Sequence, residues 1–235
     1  MGVSRLINSA DNENRDIQRS DSFLCGMLLA LSGGCMDAYS YLYRGEVFAN
    51  AQTGNMLLFG VNLAKGKWSE AMLYFWPVLA FAVGIFLSDI IRHRAIKYTL
   101  HWRQCAVAIE IIILSVVCFI PLTYNLAANS LISFACGIQL ESFRKIQGNA
   151  IATTMCIGNL RSGTHFLNEY FCSGDKAALK KAGLYFAVIV CFVAGAVVES
   201  ILLKGFFEKA ILLSVLLLAV VFGYLSALKP RHISE

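Results

Sequence analysis

The sequence predicts an all-α integral membrane protein, with about six transmembrane helices and two polar segments that form half-helices or re-enter the membrane. Of its 235 residues 57% are hydrophobic and only 15% are charged. Soluble domains carry about 25% charged residues. Apolar runs also recur along nearly the whole chain, and a bilayer about 30 Å thick needs about 20 apolar residues per helix. A β-barrel would show short alternating segments instead.

Eight apolar segments follow one another along the chain. They cover about 23–43, 48–64, 71–91, 105–122, 126–143, 150–171, 182–203 and 206–228. The second and sixth contain many polar residues, so the sequence leaves open whether they cross the membrane or re-enter it. Residues 1–21 are expected to be a disordered N-terminal tail, and residues 230–235 a short C-terminal tail.

The two halves of the chain resemble each other. Gly33 and Asp37 align with Gly137 and Glu141 at a shift of 104 residues, and Gly54-Asn55 aligns with Gly158-Asn159 at the same shift. The stretch 81–84 resembles 192–195 at a shift of 111. Three matches in one order predict a duplication, with a first repeat at 22–122 and a second at 123–229.

The basic residues favour re-entry of the two polar segments. If all eight segments crossed, the cluster at 92–103 would lie outside, against the positive-inside rule. With six crossings most Lys and Arg residues lie inside. Both termini are then cytoplasmic, in a bacterial inner membrane. Three crossings per half would invert the second repeat, which is the pattern of secondary transporters and channels.

The polar segments supply most of the candidate solute-binding residues. These are Asn50, Gln52, Thr53, Gly54 and Asn55 in the first half, and Thr153, Thr154, Gly158 and Asn159 in the second. Thr and Asn can cap a helix, and Gly frees the backbone to break one. A half-helix that starts inside the membrane points its positive end at an anionic or carbonyl group. The alternative is that these residues only satisfy the backbone of two hairpins.

Two carboxylates and an amide complete the predicted site. A carboxylate at a helix centre costs about 2.5–3.5 kcal/mol on insertion scales, so Asp37 and its match Glu141 are expected to face a cavity or a partner. For Glu141 the alternative is an ion pair with Arg144 or Lys145. Gln139 can bind a solute or another helix. Glu110 and Glu199 are expected near segment ends, where they reach interfacial water.

Other functional classes find no support in the sequence. It contains no nucleophile elbow, phosphate-binding loop, zinc-protease motif or dinucleotide fingerprint, so we expect no enzyme, no cofactor and no metal site. The net charge of +5 is spread over short connections, which favours lipid headgroups over nucleic acid as partners. The eight cysteines form no CxxC pair and are interpreted as apolar fillers.

The longest motif resembles a known family. The stretch Gly34-Cys35-Met36-Asp37-Ala38-Tyr39, followed by residues 47–55, resembles the signature of the YoaK-like family of bacterial membrane proteins. Residues 137–139, 152–154 and 158–160 resemble its second repeat, although Ile157 and Glu141 depart from that pattern. The family is one of unknown function, so the resemblance implies a multi-helix inner-membrane protein but supplies no substrate.

These observations lead to two functional hypotheses. The first is a small secondary transporter or channel-like permease in the lipid bilayer, for a small polar or anionic solute. Proton coupling and a homodimer belong to this hypothesis. The second is a membrane scaffold, sensor or assembly protein that moves no solute. A third hypothesis is an intramembrane enzyme that acts on lipids, although the sequence shows no recognisable nucleophile–base pair.

Overall fold

The computed structural model describes residues 20–94 and 102–227. The tails expected at 1–21 and 230–235 fall outside these ranges, except for Ser20 and Asp21. Within these ranges the chain forms eight α-helices: α1 Phe23–Tyr43, α2 Gln52–Ala64, α3 Trp68–Arg94, α4 Trp102–Val117, α5 Asn125–Ser142, α6 Cys156–Ser173, α7 Lys176–Phe206 and α8 Leu212–Ser226. Short 3₁₀ turns cover Leu122–Tyr124 and Phe207–Ile211, and a hairpin pairs β1 Lys145–Ile146 with β2 Asn149–Ala150.

Local sequence signals set several helix ends. The Ser22 side chain accepts a hydrogen bond from the Cys25 amide at 3.2 Å and caps α1. Asp175 caps α7 in the same way, through the Ala177 amide at 2.8 Å. Gly174 ends α6 at a φ of 70°, a conformation that glycine adopts without steric cost. Each of the eight apolar segments in the sequence corresponds to one of these helices.

Three helical stretches of the described chain are long and apolar enough to cross a membrane: Phe23–Tyr43, Trp68–Arg92 and Lys176–Ser226. The last stretch contains both α7 and α8, which are separated by the 3₁₀ turn at Phe207–Ile211. The other helices are shorter or less apolar. An all-α fold is therefore observed, with apolar helices of membrane-spanning length.

Helix α1 runs antiparallel to α5. The Gln139 amide donates to the Leu29 carbonyl at 3.2 Å, and Cys136 Sγ lies 3.7 Å from Met36 Sδ. At the other end the Asn129 amide donates to the Arg44 carbonyl at 2.8 Å. Residue numbers thus rise along one helix as they fall along the other. We call the end where α1 begins the first end, and the end where it finishes the second end.

Two helix pairs run parallel and approach very closely at glycines. Along α1 and α7, Met27 lies beside Cys191 and Leu31 beside Gly195. A Cβ atom added to Gly195 would overlap the Leu31 carbonyl. In α3 and α5, Gly84 lies against the Phe134 carbonyl, and Ser88 and Ser142 share a 3.1 Å hydrogen bond. Small residues at a helix crossing allow such backbone contact.

Each of these close pairs combines one helix of the first half with one helix of the second. Helix α1 of the first half packs mainly on α7 of the second, and α5 of the second packs mainly on α3 of the first. Helix α2 packs on α3 as α6 packs on α7, and α4 packs on α5 as α8 packs on α1. The counterparts of α1, α2, α3 and α4 in the second half are α5, α6, α7 and α8. The packing pattern is unchanged when each helix is replaced by its counterpart.

The glycine contacts correct one of the repeat matches. Gly34 meets the Phe192 carbonyl and the Ala196 amide, as Gly137 meets the Phe81 carbonyl and the Ile85 amide. Gly34 is thus the counterpart of Gly137 at a shift of 103, and the sequence alignment of Gly33 with Gly137 is wrong by one residue. The packing consequently equates Asp37 with Leu140, not with Glu141. The shift of 111 between α3 and α7 agrees with the sequence alignment.

A buried arginine holds the second end together. Arg44 is 1% exposed and donates to the Val117 carbonyl at 3.0 Å and to the Ile120 carbonyl at 2.8 Å. It also donates to the Tyr39 hydroxyl at 2.8 Å. This cation at the C-terminal end of α4 opposes the helix dipole, and it adds a donor to the Val117 carbonyl, which also accepts from the Ile120 amide at 3.1 Å.

Replacing Arg44 with Met is expected to lower the free energy of unfolding by about 3 kcal/mol, because two buried carbonyls lose a charged donor. Thermal unfolding of the purified protein in detergent measures the loss. Lys65→Met, at an exposed site, serves as the control and should change stability by less than about 0.5 kcal/mol. Equal stability of the two variants would contradict the assigned role of Arg44.

Two glycines of α7 provide a matched test of close packing. Gly195→Ala is expected to destabilise the protein by about 1–3 kcal/mol, since the added methyl forces α1 and α7 apart. Gly183 has no atom within 4 Å of an added Cβ, so Gly183→Ala is expected to be neutral or to stabilise by up to about 1 kcal/mol. The same unfolding measurement compares them, and similar effects would argue against the close contact.

Candidate functional site

Two polar loops reach the middle of α1. The loop before α2 leaves the second end, where Arg44 ends α1, and brings Asn50 to Gly33. The side-chain amide of Asn50 donates to the Gly33 carbonyl at 3.1 Å. The loop before α6 leaves the first end, where the β-hairpin packs Ile146 on Gly26, and brings the Thr154 methyl to Gly33. Helices α2 and α6 therefore begin near the centre of α1.

Asp37 anchors the start of α2. Its side chain is 8% exposed, and its Oδ1 accepts from the Asn50 backbone amide at 2.7 Å. The backbone amides of Ala49 and Ala51 also interact with this carboxyl. No side chain of α2 itself caps the helix. The Asp37 carboxylate thus balances the positive end of α2 from a neighbouring helix.

The second half contributes an amide and two threonines to the same region. Gln139 Nε2 donates to the Leu29 carbonyl at 3.2 Å and lies 3.3 Å from Thr153 Oγ1. Thr153 and Thr154 are buried beside it. We refer to Asp37, Asn50, Gln139, Thr153 and Thr154 as the central polar cluster. The structure brings together these five predicted site residues from both halves.

Three oxygens of the central polar cluster have no hydrogen-bond partner among the described residues. They are Asn50 Oδ1, Gln139 Oε1 and Thr154 Oγ1. Leaving a buried polar atom unpaired costs about 1–3 kcal/mol, and such atoms call for a specific explanation. Two carbonyl-type acceptors and one hydroxyl form a set that can bind a solute carrying hydrogen-bond donors.

Other predicted site residues hold the two loops in place. Asn55 is fully buried and donates to the Phe48 carbonyl at 2.7 Å, seven residues earlier. Asn159 donates to the Ala152 carbonyl, also seven residues earlier and at 2.7 Å. This matches the shift of 104 for these segments. Gln52 donates to the Ala49 carbonyl at 2.7 Å and reaches Ser133 at 3.4 Å.

The remaining predicted residues lie away from the cluster. Thr53 and Gly158 are exposed, and Gly54 packs on the Phe48 ring. Glu141 forms an ion pair with Arg144 and lies 3.9 Å from Arg92 at the first end. The alternative considered for Glu141, an ion pair with Arg144 or Lys145, is therefore the one observed, with Arg144 as the partner just after the end of α5.

Glu110 and Glu199 do not reach water, so the expectation for them is wrong. Both are 0% exposed, and neither carboxyl has a hydrogen-bond partner in the described chain. Glu110 lies midway along α4, and Glu199 one turn after Gly195 on α7. The one available signal was that each is an acid within an apolar run.

An open groove of about 770 Å³ lies between α3 and α5, outside the central polar cluster. Its lining is apolar except for Thr123, Tyr124 and Ser130, so its chemistry suits an acyl chain and not a polar solute. Among the described residues no three His, Cys, Asp or Glu side chains form a metal-binding group.

Comparison with known proteins identifies the family. The family described as "Protein of unknown function (DUF1275)" matches residues 25–224. The chain is 25% identical over 220 residues to the UPF0700 transmembrane protein YoaK of Bacillus subtilis (strain 168), covering 88% of this chain and 94% of that protein. No solved structure matches. Like that relative, this is a helical membrane protein, and it belongs to the DUF1275 family.

Proposed function

We propose that the protein is a small secondary transporter or channel-like permease whose solute site is the central polar cluster. One observation carries this proposal. Helices α2 and α6, from different halves, begin near the middle of α1, beside buried acceptors that lack partners among the described residues. In membrane proteins, discontinuous helices that meet near the midplane form solute sites.

The helix directions support six crossings. Helix α3 is parallel to α5 and α5 is antiparallel to α1, so α3 returns toward the first end. A chain that crosses in α1 and returns in α3 makes no net crossing in α2. The same argument applies to α6, since α7 runs parallel to α1. With α1 antiparallel to its counterpart α5, the two repeats are inverted.

The charged residues suggest which end is cytoplasmic. Arg103 contacts the Ser142 carbonyl at the first end, and Arg92 and Arg144 lie there with Asp89. By the positive-inside rule this end faces the cytoplasm. A bacterial inner membrane with cytoplasmic termini, as the sequence predicts, is part of the proposal.

The chemistry of the cluster favours a small polar solute that donates hydrogen bonds. The cluster contains one carboxyl and no Lys or Arg, and Asp37 already balances the start of α2. Helix α6 has no side-chain cap. A carbonyl or carboxylate of the solute would therefore bind at α6, while its donors bind the acceptors of Asn50 and Gln139.

The described conformation encloses the cluster. Asp37, Asn50, Gln139, Thr153 and Thr154 are each at most 8% exposed, so a solute would leave only if helices move. The close glycine contacts make α1–α7 and α3–α5 the natural rigid units. A relative movement of these two pairs would open the centre first to one end and then to the other.

One observation favours the alternative of a scaffold or sensor. Asn55 and Asn159 bond backbone groups of their own loops, and Asp37 bonds the backbone of the loop before α2, as a purely structural role requires. The unpaired oxygens of Asn50 and Gln139 have no such explanation, and for this reason transport is the leading proposal.

Single cysteines test the topology in a Cys172→Ser background, because Cys172 is the exposed cysteine among the eight. Cysteines replace Glu46 and Lys67, which flank α2, or Lys145 and Ser173, which flank α6. Glu46→Cys and Lys67→Cys are expected to react with an impermeant maleimide from the periplasm, and the other two from the cytoplasm. If the two positions of either pair label from opposite sides, the helix between them crosses and the inverted arrangement fails.

Proteoliposomes test the site with a panel of labelled amino acids, sugars, polyols and nucleobases. Wild type is expected to move at least one of them, and Asn50→Ala or Gln139→Ala to lower kcat/KM at least about tenfold, as loss of one buried hydrogen bond predicts. Asn62→Ala is the control, because its amide bonds within α2 to Leu58. No movement by wild type would favour the scaffold, and unaffected variants would place the site elsewhere.

A further inference from the structure

Glu110 is a buried acid without a partner. It lies on the face of α4 that also carries Val107, Leu114 and Val117, and all four side chains are 0% exposed. Neither carboxyl oxygen has a hydrogen-bond partner among the described residues. A carboxylate in such surroundings loses its hydration without compensation.

Two thiols lie near Glu110 among the described residues. Cys25 of α1 and Cys136 of α5 lie within electrostatic range of its carboxyl. On α8 the titratable residue is Tyr224, near the level of Gln104, whose amide donates to Leu225. On α3, Asp89 and Arg92 pair with each other at the first end. In the 3₁₀ turn at Phe207–Ile211, the Glu208 carboxylate accepts from the Tyr43 hydroxyl at the second end, and Lys209 is the next residue.

The two thiols connect Glu110 to the cluster and to the first end. Cys136 interacts with Asp37 as well as Glu110, and it contacts the side-chain amide of Asn50. Cys25 interacts with Arg103 and Asp21, which lie near the first end. Glu110 therefore lies between the central polar cluster and one end of the bundle, in a core that is otherwise apolar.

A stabilising role does not explain this carboxyl. Glutamine or leucine would fill nearly the same volume without the cost of burying an unpaired acid. Ionisable residues inside a membrane usually mark ion paths or proton relays. The position of Glu110 beside the proposed solute site is consistent with that use.

We propose that Glu110 is the proton-binding residue that couples solute movement to the proton gradient, an inference that rests on the proposed transport function. One H⁺ from one side of the membrane forms an O–H bond with the carboxylate, and that bond breaks when the group opens to the other side. No other atom or electron is transferred. Asp37, the acid within the central polar cluster, instead binds backbone amides of the loop before α2.

Infrared difference spectroscopy of the full-length protein in liposomes tests proton binding with H⁺ and D⁺ as probes. Wild type is expected to show a protonated-carboxyl C=O component that shifts in D₂O. Glu110→Gln removes this component and Glu70→Gln retains it, whereas any signal from Glu199, the other buried acid without a partner among the described residues, remains in both variants. Glu70 is an exposed acid paired with Lys67. Identical wild-type and Glu110→Gln spectra would overturn the proposal. This readout needs no solute and is independent of transport.

Pyranine-loaded proteoliposomes test coupling with the same solute panel. Glu110→Gln resembles the protonated form, so it is expected to lose proton-driven accumulation at least tenfold while keeping solute exchange at equal pH within twofold of wild type. Undiminished accumulation would overturn the coupling and leave the transport function standing. If wild type moves no solute, the coupling falls together with the transport function.

Thermal unfolding separates this role from a structural one. Glu110→Gln and Glu110→Leu are both expected to have a Tm equal to or above that of wild type, because each removes a buried unpaired acid. A fall of more than 5 °C in both variants would show that the carboxyl stabilises the fold, and would overturn the proposal.

Discussion

The close backbone contact of α1 with α7, and of α3 with α5, is the constraint on which the rest of the structure depends. Gly34 and Gly195 form the first contact, and Gly84 and Gly137 the second. Each pair contains one helix from each half. The loops that follow α1 and α5 start at opposite ends of the bundle, and both reach Gly33 at the centre of α1. Larger residues at these crossings would separate the helices and also the polar loops between them.

Much of the fold could be predicted from the sequence because the bilayer imposes helix length and continuous apolarity. All eight segments contain a helix, and α1 begins and ends at the predicted residues. The helices of the two polar segments begin later than the segments themselves, since Phe48 lies in a loop and Ala150 in strand β2. Periodicity is weak where neighbouring positions are all apolar, which explains the error of one residue between α1 and α5.

The candidate site was predictable in part. Polar residues inside apolar segments identified Asn50, Gln139 and Thr154, but composition could not distinguish an amide that binds its own loop from one with an unpaired oxygen. Asn55 bonds the Phe48 carbonyl of its own loop, whereas Asn50, five residues earlier, keeps an oxygen unpaired among the described residues. Glu110 was misjudged because α4 is apolar on every side around it, so the sequence shows no buried face. The burial of Arg44 could not be predicted either, since its carbonyl partners Val117 and Ile120 are more than 70 residues away in the sequence.

The exchange of helices between halves also governs how the chain is assembled. When α1 leaves the ribosome its main partner, α7, has not been synthesised, and α3 must likewise wait for α5. Contacts between residues so far apart in sequence form late and slowly. The first half is therefore an unfinished bundle that exposes its glycine seams to lipid, and it becomes a stable unit only when the second half arrives.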